Sequence, residues 1–104
     1  MSVALYGFDK NKEIKLCLPI SLEKFYITYL EKAINELNIK FIKDGSNFGK
    51  DDLYFVLYEL DNLFIWCLKN LVDNNLSYML ERLVYLKSII PKALNFYYDR
   101  LYIF

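Results

Sequence analysis

The residues of this chain best equipped by type and spacing to do chemistry lie between Asp44 and Asp61. Gly45-Ser46-Asn47-Phe48-Gly49-Lys50 follows an apolar stretch and opens a helical pattern, which is the setting of a phosphate cradle. A P-loop needs Gly-x-x-x-x-Gly-Lys-Ser/Thr, so that successive amides wrap the phosphate and the hydroxyl holds magnesium. Here the glycines are one residue too close, and Asp51 and Asp52 stand where the hydroxyl is required. Their charge repels phosphate from the helix N-terminus where it would otherwise bind, so the run reads as a turn followed by a carboxylate cap. Carboxylates also come in pairs, Asp51 with Asp52 and Glu59 with Asp61, as general acid–base chemistry requires. Residues one or two apart on a helix do not face each other, so neither pair converges on one substrate atom. Asp9-Lys10-Asn11-Lys12-Glu13 has the opening of an EF-hand loop, but Ile14 occupies the glycine position and Ile20 the position of the bidentate glutamate. It reads as a hairpin turn.

The chain contains no histidine. Ser-His and Cys-His nucleophilic pairs, imidazole bases and the common zinc sites are therefore closed to it. Cys17 and Cys67 are far apart, lack a Cys-x-x-Cys spacing and sit among apolar residues, so both are expected to be buried reduced thiols rather than metal ligands or a disulfide. No catalytic residue, cofactor site or metal site emerges. Ten tyrosines set among the lysines raise base stacking as a use for them, but the charges balance at 13 and 13 and the sequence pI is near 6.2. A stacking platform needs a positive surround, so a nucleic-acid partner is not expected.

At 104 residues the chain is read as a single globular domain spanning 1–104, with enough apolar side chains to fill a core unaided. Residues 3–8 and 14–18 alternate around the polar tetrad Asp9–Lys12 and predict a β-hairpin that Pro19 ends. Ser21 is placed to cap a helix over 22–38. Ile39-Lys40-Phe41-Ile42-Lys43 has the composition of a third strand, and 44–50 that of a loop. A long helix follows over 51–72, a third begins at Asp73-Asn74-Asn75, and Pro91 ends or kinks it and opens a last short helix. The fold expected is mainly α within the α+β class, a small N-terminal hairpin packed on three to four helices, with an all-α domain as the alternative. Asp9, Lys10 and Lys12 interrupt any leader-like apolar run, and Glu59 and Asp61 cut the central apolar stretch below the length of a membrane span. The expectation is a cytoplasmic protein with no membrane partner.

Residues 51–72 organise the rest. At 100° per residue Leu53, Val56, Leu57, Leu60, Leu63, Phe64, Cys67, Leu68 and Leu71 form one broad core-facing side. The opposite side carries Asp52, Glu59, Asn62 and Lys69, and with them Phe55, Tyr58, Ile65 and Trp66. Large apolar groups among charges are what protein interfaces enrich. The acids are also concentrated here, five against one lysine over 44–61. Asp51, Asp52, Phe55, Tyr58, Glu59, Asn62 and Trp66 are therefore the candidate partner-binding residues. A homodimer using the same face accounts for them equally, as does burial of that face by the chain itself.

A small, histidine-free, single-domain chain rich in Lys, Asn, Ile and Tyr, with a local acidic and aromatic face, resembles in build the immunity proteins of bacterial toxin–immunity systems of the contact-dependent growth inhibition type. The resemblance covers the whole chain and is carried by no single motif. It implies a non-catalytic inhibitor that binds a cognate protein toxin as a stoichiometric heterodimer, many such toxins being nucleases with basic clefts. On this expectation Trp66→Ala combined with Glu59→Lys abolishes binding and leaves the isolated fold intact.

Overall fold

The computed structural model describes residues 2–104. Among them the chain forms a four-stranded antiparallel sheet and three helices, so the α+β reading holds and the all-α alternative does not. The hairpin is present. Strand β1 (Ser2–Phe8) pairs with β2 (Ile14–Leu22), with irregularities between Val3 and Ala4 and between Gly7 and Phe8. The turn closes on Asp9, whose carboxylate accepts the amides of Asn11 (2.8 Å) and Glu13 (2.9 Å), while Lys12 takes a left-handed conformation. Pro19 does not end β2, because β2 is an edge of the sheet and its outward N–H positions need no partner.

Helix α1 covers 23–37 and contains a π-turn over Tyr26–Leu30 between α-helical Glu23–Phe25 and Glu31–Leu37. Ser21 is not its cap. That side chain is buried and donates to the Leu22 carbonyl, and the Leu22 amide is taken instead by the Tyr78 hydroxyl at 3.1 Å. Asn38, left-handed at φ 55°, ends α1.

Two sequence expectations exchange places next. Residues 39–43 are not a strand, and the supposed loop contains strand β3 (Ser46–Gly49). Gly45, at φ 84°, makes the turn into it and donates its amide to the Ile103 carbonyl. A short 3-10 turn (Lys50–Asp52), closed by the Asp52 carboxylate accepting the Gly49 amide at 3.0 Å, then leads into helix α2 (Leu53–Asn70), which has no side-chain cap of its own. Helix α3 (Asp73–Phe96) runs through Pro91 without a separate last helix, and the chain ends in strand β4 (Arg100–Ile103). The C-terminal residues expected to be helical thus form a central strand, in the order β2-β1-β4-β3.

One face of the sheet and all three helices enclose the core. Leu5, Phe48, Leu101 and Ile103 from the strands meet Val56, Leu60 and Leu63 of α2 and Met79, Leu83, Leu86 and Ile90 of α3, all essentially inaccessible. Lys87 of α3 reaches Asp61 of α2 at 2.6 Å, and Phe25, Tyr29 and Tyr78 form an aromatic contact between α1 and α3. No helix among the described residues is long and apolar enough to cross a membrane.

Candidate functional site

The second side of α2 is divided between the interior and the surface. Glu59 is 8 % exposed. Its carboxylate receives three consecutive backbone amides, those of Lys40 (2.7 Å), Phe41 (3.0 Å) and Ile42 (3.0 Å). A segment of irregular backbone must find partners for its N–H groups, and a carboxylate with two oxygens serves three of them at once. That is why 39–43 is not a strand: its donors are consumed by Glu59, and Ile39 and Ile42 are turned into the core. The Ser46 hydroxyl donates to the carbonyls of Phe41 and Lys43, fixing the other end of the segment. The Tyr26 hydroxyl accepts the Asp44 amide at 2.8 Å, and burial raises the Tyr26 phenol above its ordinary pKa.

Trp66 is also enclosed, at 7 % exposure. Its indole N–H donates to Glu36 Oε2 at 2.6 Å, so the side chain ties α2 to α1. Glu59 and Trp66, expected on the partner face, are corrected to the interior, each bonded within the chain. The Trp66→Ala and Glu59→Lys pair would consequently perturb folding and cannot isolate a binding defect.

Phe55 and Tyr58 remain at the surface, 56 % and 59 % exposed, with Tyr54 beside them at 76 %. Phe55 and Tyr58 border a groove between α2 and the segment that Glu59 anchors. Its opposite wall is Leu37 to Phe41, and Asp52, Glu59 and Asn62 complete it. Five of the seven sequence-chosen residues line this one concavity. Asp51 is exposed on the turn that opens α2, next to it in the chain. Asp52 is partly engaged, by the Gly49 amide and by the Arg100 guanidinium at 3.9 Å. Lys40 supplies the groove's cation.

The wall formed by 37–41 was not visible in the sequence, because no periodicity marks a segment whose conformation depends on a side chain 17 to 19 residues further on. Cys17 differs from expectation too: it is exposed, whereas Cys67 is buried and its thiol is pushed up to about 11 by desolvation. Among the described residues no three His, Cys, Asp or Glu side chains gather as a metal site would require. Comparison with protein-family models, curated proteins and solved structures finds no match to this chain.

Proposed function

We propose that this chain is a non-catalytic protein-binding module of the immunity-protein kind, inhibiting a cognate toxin by stoichiometric binding through the α2 groove. The observation that carries the reading is the exposure of three aromatic rings, Tyr54, Phe55 and Tyr58, side by side at the start of α2, with Phe55 and Tyr58 bordering the groove. Rigid aromatic anchors beside a groove, with Asp51, Asp52 and Asn62 at the rim, suit a partner that offers an apolar pocket ringed by cations. The groove wall is held by three hydrogen bonds to a buried carboxylate, so the surface is formed before the partner arrives. Inhibition would be steric: the aromatic ridge fills the toxin's cleft, and the aspartates oppose its basic residues. The histidine-free composition supports a non-catalytic role, and a cytoplasmic location belongs to the same proposal.

The test is to purify the chain with the toxin-like product of the adjacent gene and measure the complex by light scattering and calorimetry. A one-to-one complex is expected. Phe55→Ala with Tyr58→Ala should weaken it by more than about 30-fold, the cost of losing hot-spot anchors, without changing the melting curve of the isolated protein. Full affinity in that double variant would overturn the assignment of the groove.

A second copy of the chain is the competing occupant. Tyr54, Tyr58, Asp61, Ile65 and Leu68 recur along α2 at alternating intervals of four and three residues, and the apolar members are each about half exposed or more. That is the spacing of a helix-pairing seam. A dimer in sizing chromatography that Ile65→Lys dissociates would favour this occupant over a toxin.

A further inference from the structure

The sheet is open on the side turned away from the helices. β1 and β4 are its central strands, with Tyr6 opposite Tyr102. Side chains alternate along a strand, so with Leu5, Leu101 and Ile103 in the core, Tyr6, Phe8, Tyr102 and the following Phe104 stand on the other face. They form one continuous aromatic surface. Tyr6 stacks on Phe104 at 4.3 Å with planes 15° apart, and Phe8 meets Tyr102 edge-on at 5.6 Å. Lys15, Cys17, Pro19, Asn47 and Arg100 are exposed around it, Phe104 is exposed, and Tyr6, Phe8 and Tyr102 are half-buried.

At one end this surface runs into a cleft between the β1–β2 turn and the α3–β4 connection. Phe8 and Tyr102 border it with Tyr97 and Tyr98, and Tyr97 is 77 % exposed. Lys10, Lys12, Lys15 and Arg100 supply four cations. Two carboxylates share the cleft, Asp9 and Asp99. Asp9 is committed to the turn, through two amides and Lys15 at 3.9 Å, and Glu13 also lies 3.8 Å from Lys15. Arg100 is held over the sheet by Asn47 at 2.9 Å and by Asp52. No carboxylate of the described residues lies within ion-pair distance of Lys10 or Lys12, which leaves both ammonium groups available. The neutrality of the whole chain thus conceals a local separation, with acids gathered at the start of α2 and free cations at the hairpin turn.

We propose that this face binds single-stranded nucleic acid, with bases stacked on Tyr6, Phe8, Tyr102 and Phe104 and backbone phosphates drawn to Lys10 and Lys12. Aromatic rings displayed on the central strands of a sheet accept any base by its π-face, and a neighbouring row of cations follows the sugar–phosphate chain. A duplex does not fit the arrangement, because its bases are already stacked on one another. The site is independent of the partner groove: its residues lie on the strands and the hairpin turn, and the two concavities share no lining residue, Asp52 of one lying 3.9 Å from Arg100 of the other.

The experiment is fluorescence anisotropy of labelled oligothymidylate and oligouridylate of about a dozen nucleotides, titrated with the full chain at about 50 mM salt. Saturable binding in the micromolar range is expected, weakening about 7-fold by about 200 mM salt, as two phosphate contacts on a single strand imply. Lys10→Glu with Lys12→Glu, in an exposed turn, should abolish binding. Phe104→Ala, which trims a half-exposed ring and keeps the backbone pairing of Phe104 with Ala4, should weaken it about 10-fold with an unchanged melting curve. Absence of saturable binding at about 50 mM salt overturns the proposal. Equal affinity for a duplex, full displacement by polyglutamate, or indifference to Phe104→Ala also overturns it, since each would mean charge without stacking.

Discussion

Replacing Glu59 by alanine removes the acceptor of three amides while leaving the helix that carries it unperturbed in propensity, alanine being the best helix former. The Ile42 amide belongs to a buried residue, and losing a charged acceptor there costs about 2 kcal/mol. The Lys40 and Phe41 amides lie nearer the surface, where water replaces the carboxylate at a cost of about 0.5–1 kcal/mol each. The sum is about 3–4 kcal/mol, which for a domain of this size lowers Tm by about 15–25 °C. Glu59→Gln keeps one carbonyl oxygen but turns an NH2 toward at least one amide, so an intermediate loss of about 1–2 kcal/mol is expected. Thermal and urea melts followed by circular dichroism give the stability, and native-state hydrogen exchange gives the location, because the amides of 40–42 should lose protection before the rest of the chain. A shift of less than about 3 °C for the alanine variant, or unchanged protection of those three amides, would refute the claim that Glu59 holds the groove wall.

Other expectations follow from the same interior. Cys17 should react with a thiol reagent in the native protein and Cys67 only after unfolding, giving one accessible thiol that becomes two in denaturant. Because burial raises the Cys67 thiol from 9.0 to about 11, the unfolded chain loses that proton first; stability is complete below pH 9 and declines as the pH rises toward about 11, and Cys67→Ser should remove that part of the alkaline decline. Trp66→Phe deletes the bond to Glu36 and should cost about 1–2 kcal/mol in urea melts, whereas Trp66→Ala, which also opens a cavity, should cost about 3–5. Gly7→Ala sets a methyl 2.8 Å from the Tyr98 ring and should destabilise by about 1–3 kcal/mol, with most of the loss recovered by adding Tyr98→Leu.

The helices and the hairpin were legible because their evidence is local. Leu60, Leu63 and Cys67 repeat at helical spacing, and Leu5 alternates with Tyr6 whatever the rest of the chain does. The elements misread are those whose state is set from a distance. Arg100-Leu101-Tyr102-Ile103 follows a helix and a proline, and four residues carry too little periodicity to separate a strand from a last turn of helix. It becomes a strand because β1 and β3 lie on either side to receive its amides and carbonyls. Ser46–Gly49 lies between Gly45 and Lys50, ends in glycine and reads as a turn, yet pairing with β4 extends it and places Phe48 fully in the core.

Glu59 shows why the candidate site was half visible. On a helical wheel an acid among aromatics marks a wet face, and nothing in its own neighbourhood says otherwise. Desolvating a carboxylate is costly unless its oxygens are satisfied, so burial of Glu59 demanded donors, and the donors lay in a segment whose composition suggested a strand. One misreading therefore entailed the other: had 39–43 paired in the sheet, its amides would have been spent there and Glu59 would have had to stay in water. The same coupling decides which aromatics are free. With Glu59 drawn inward, Trp66, two turns further along the same side, is carried against α1 and Glu36, while Phe55 and Tyr58, across the groove from the segment that Glu59 secures, are left outside. The groove and its exposed rings are thus a consequence of one buried charge, and a variant that releases that charge should disorder the groove before it unfolds the core.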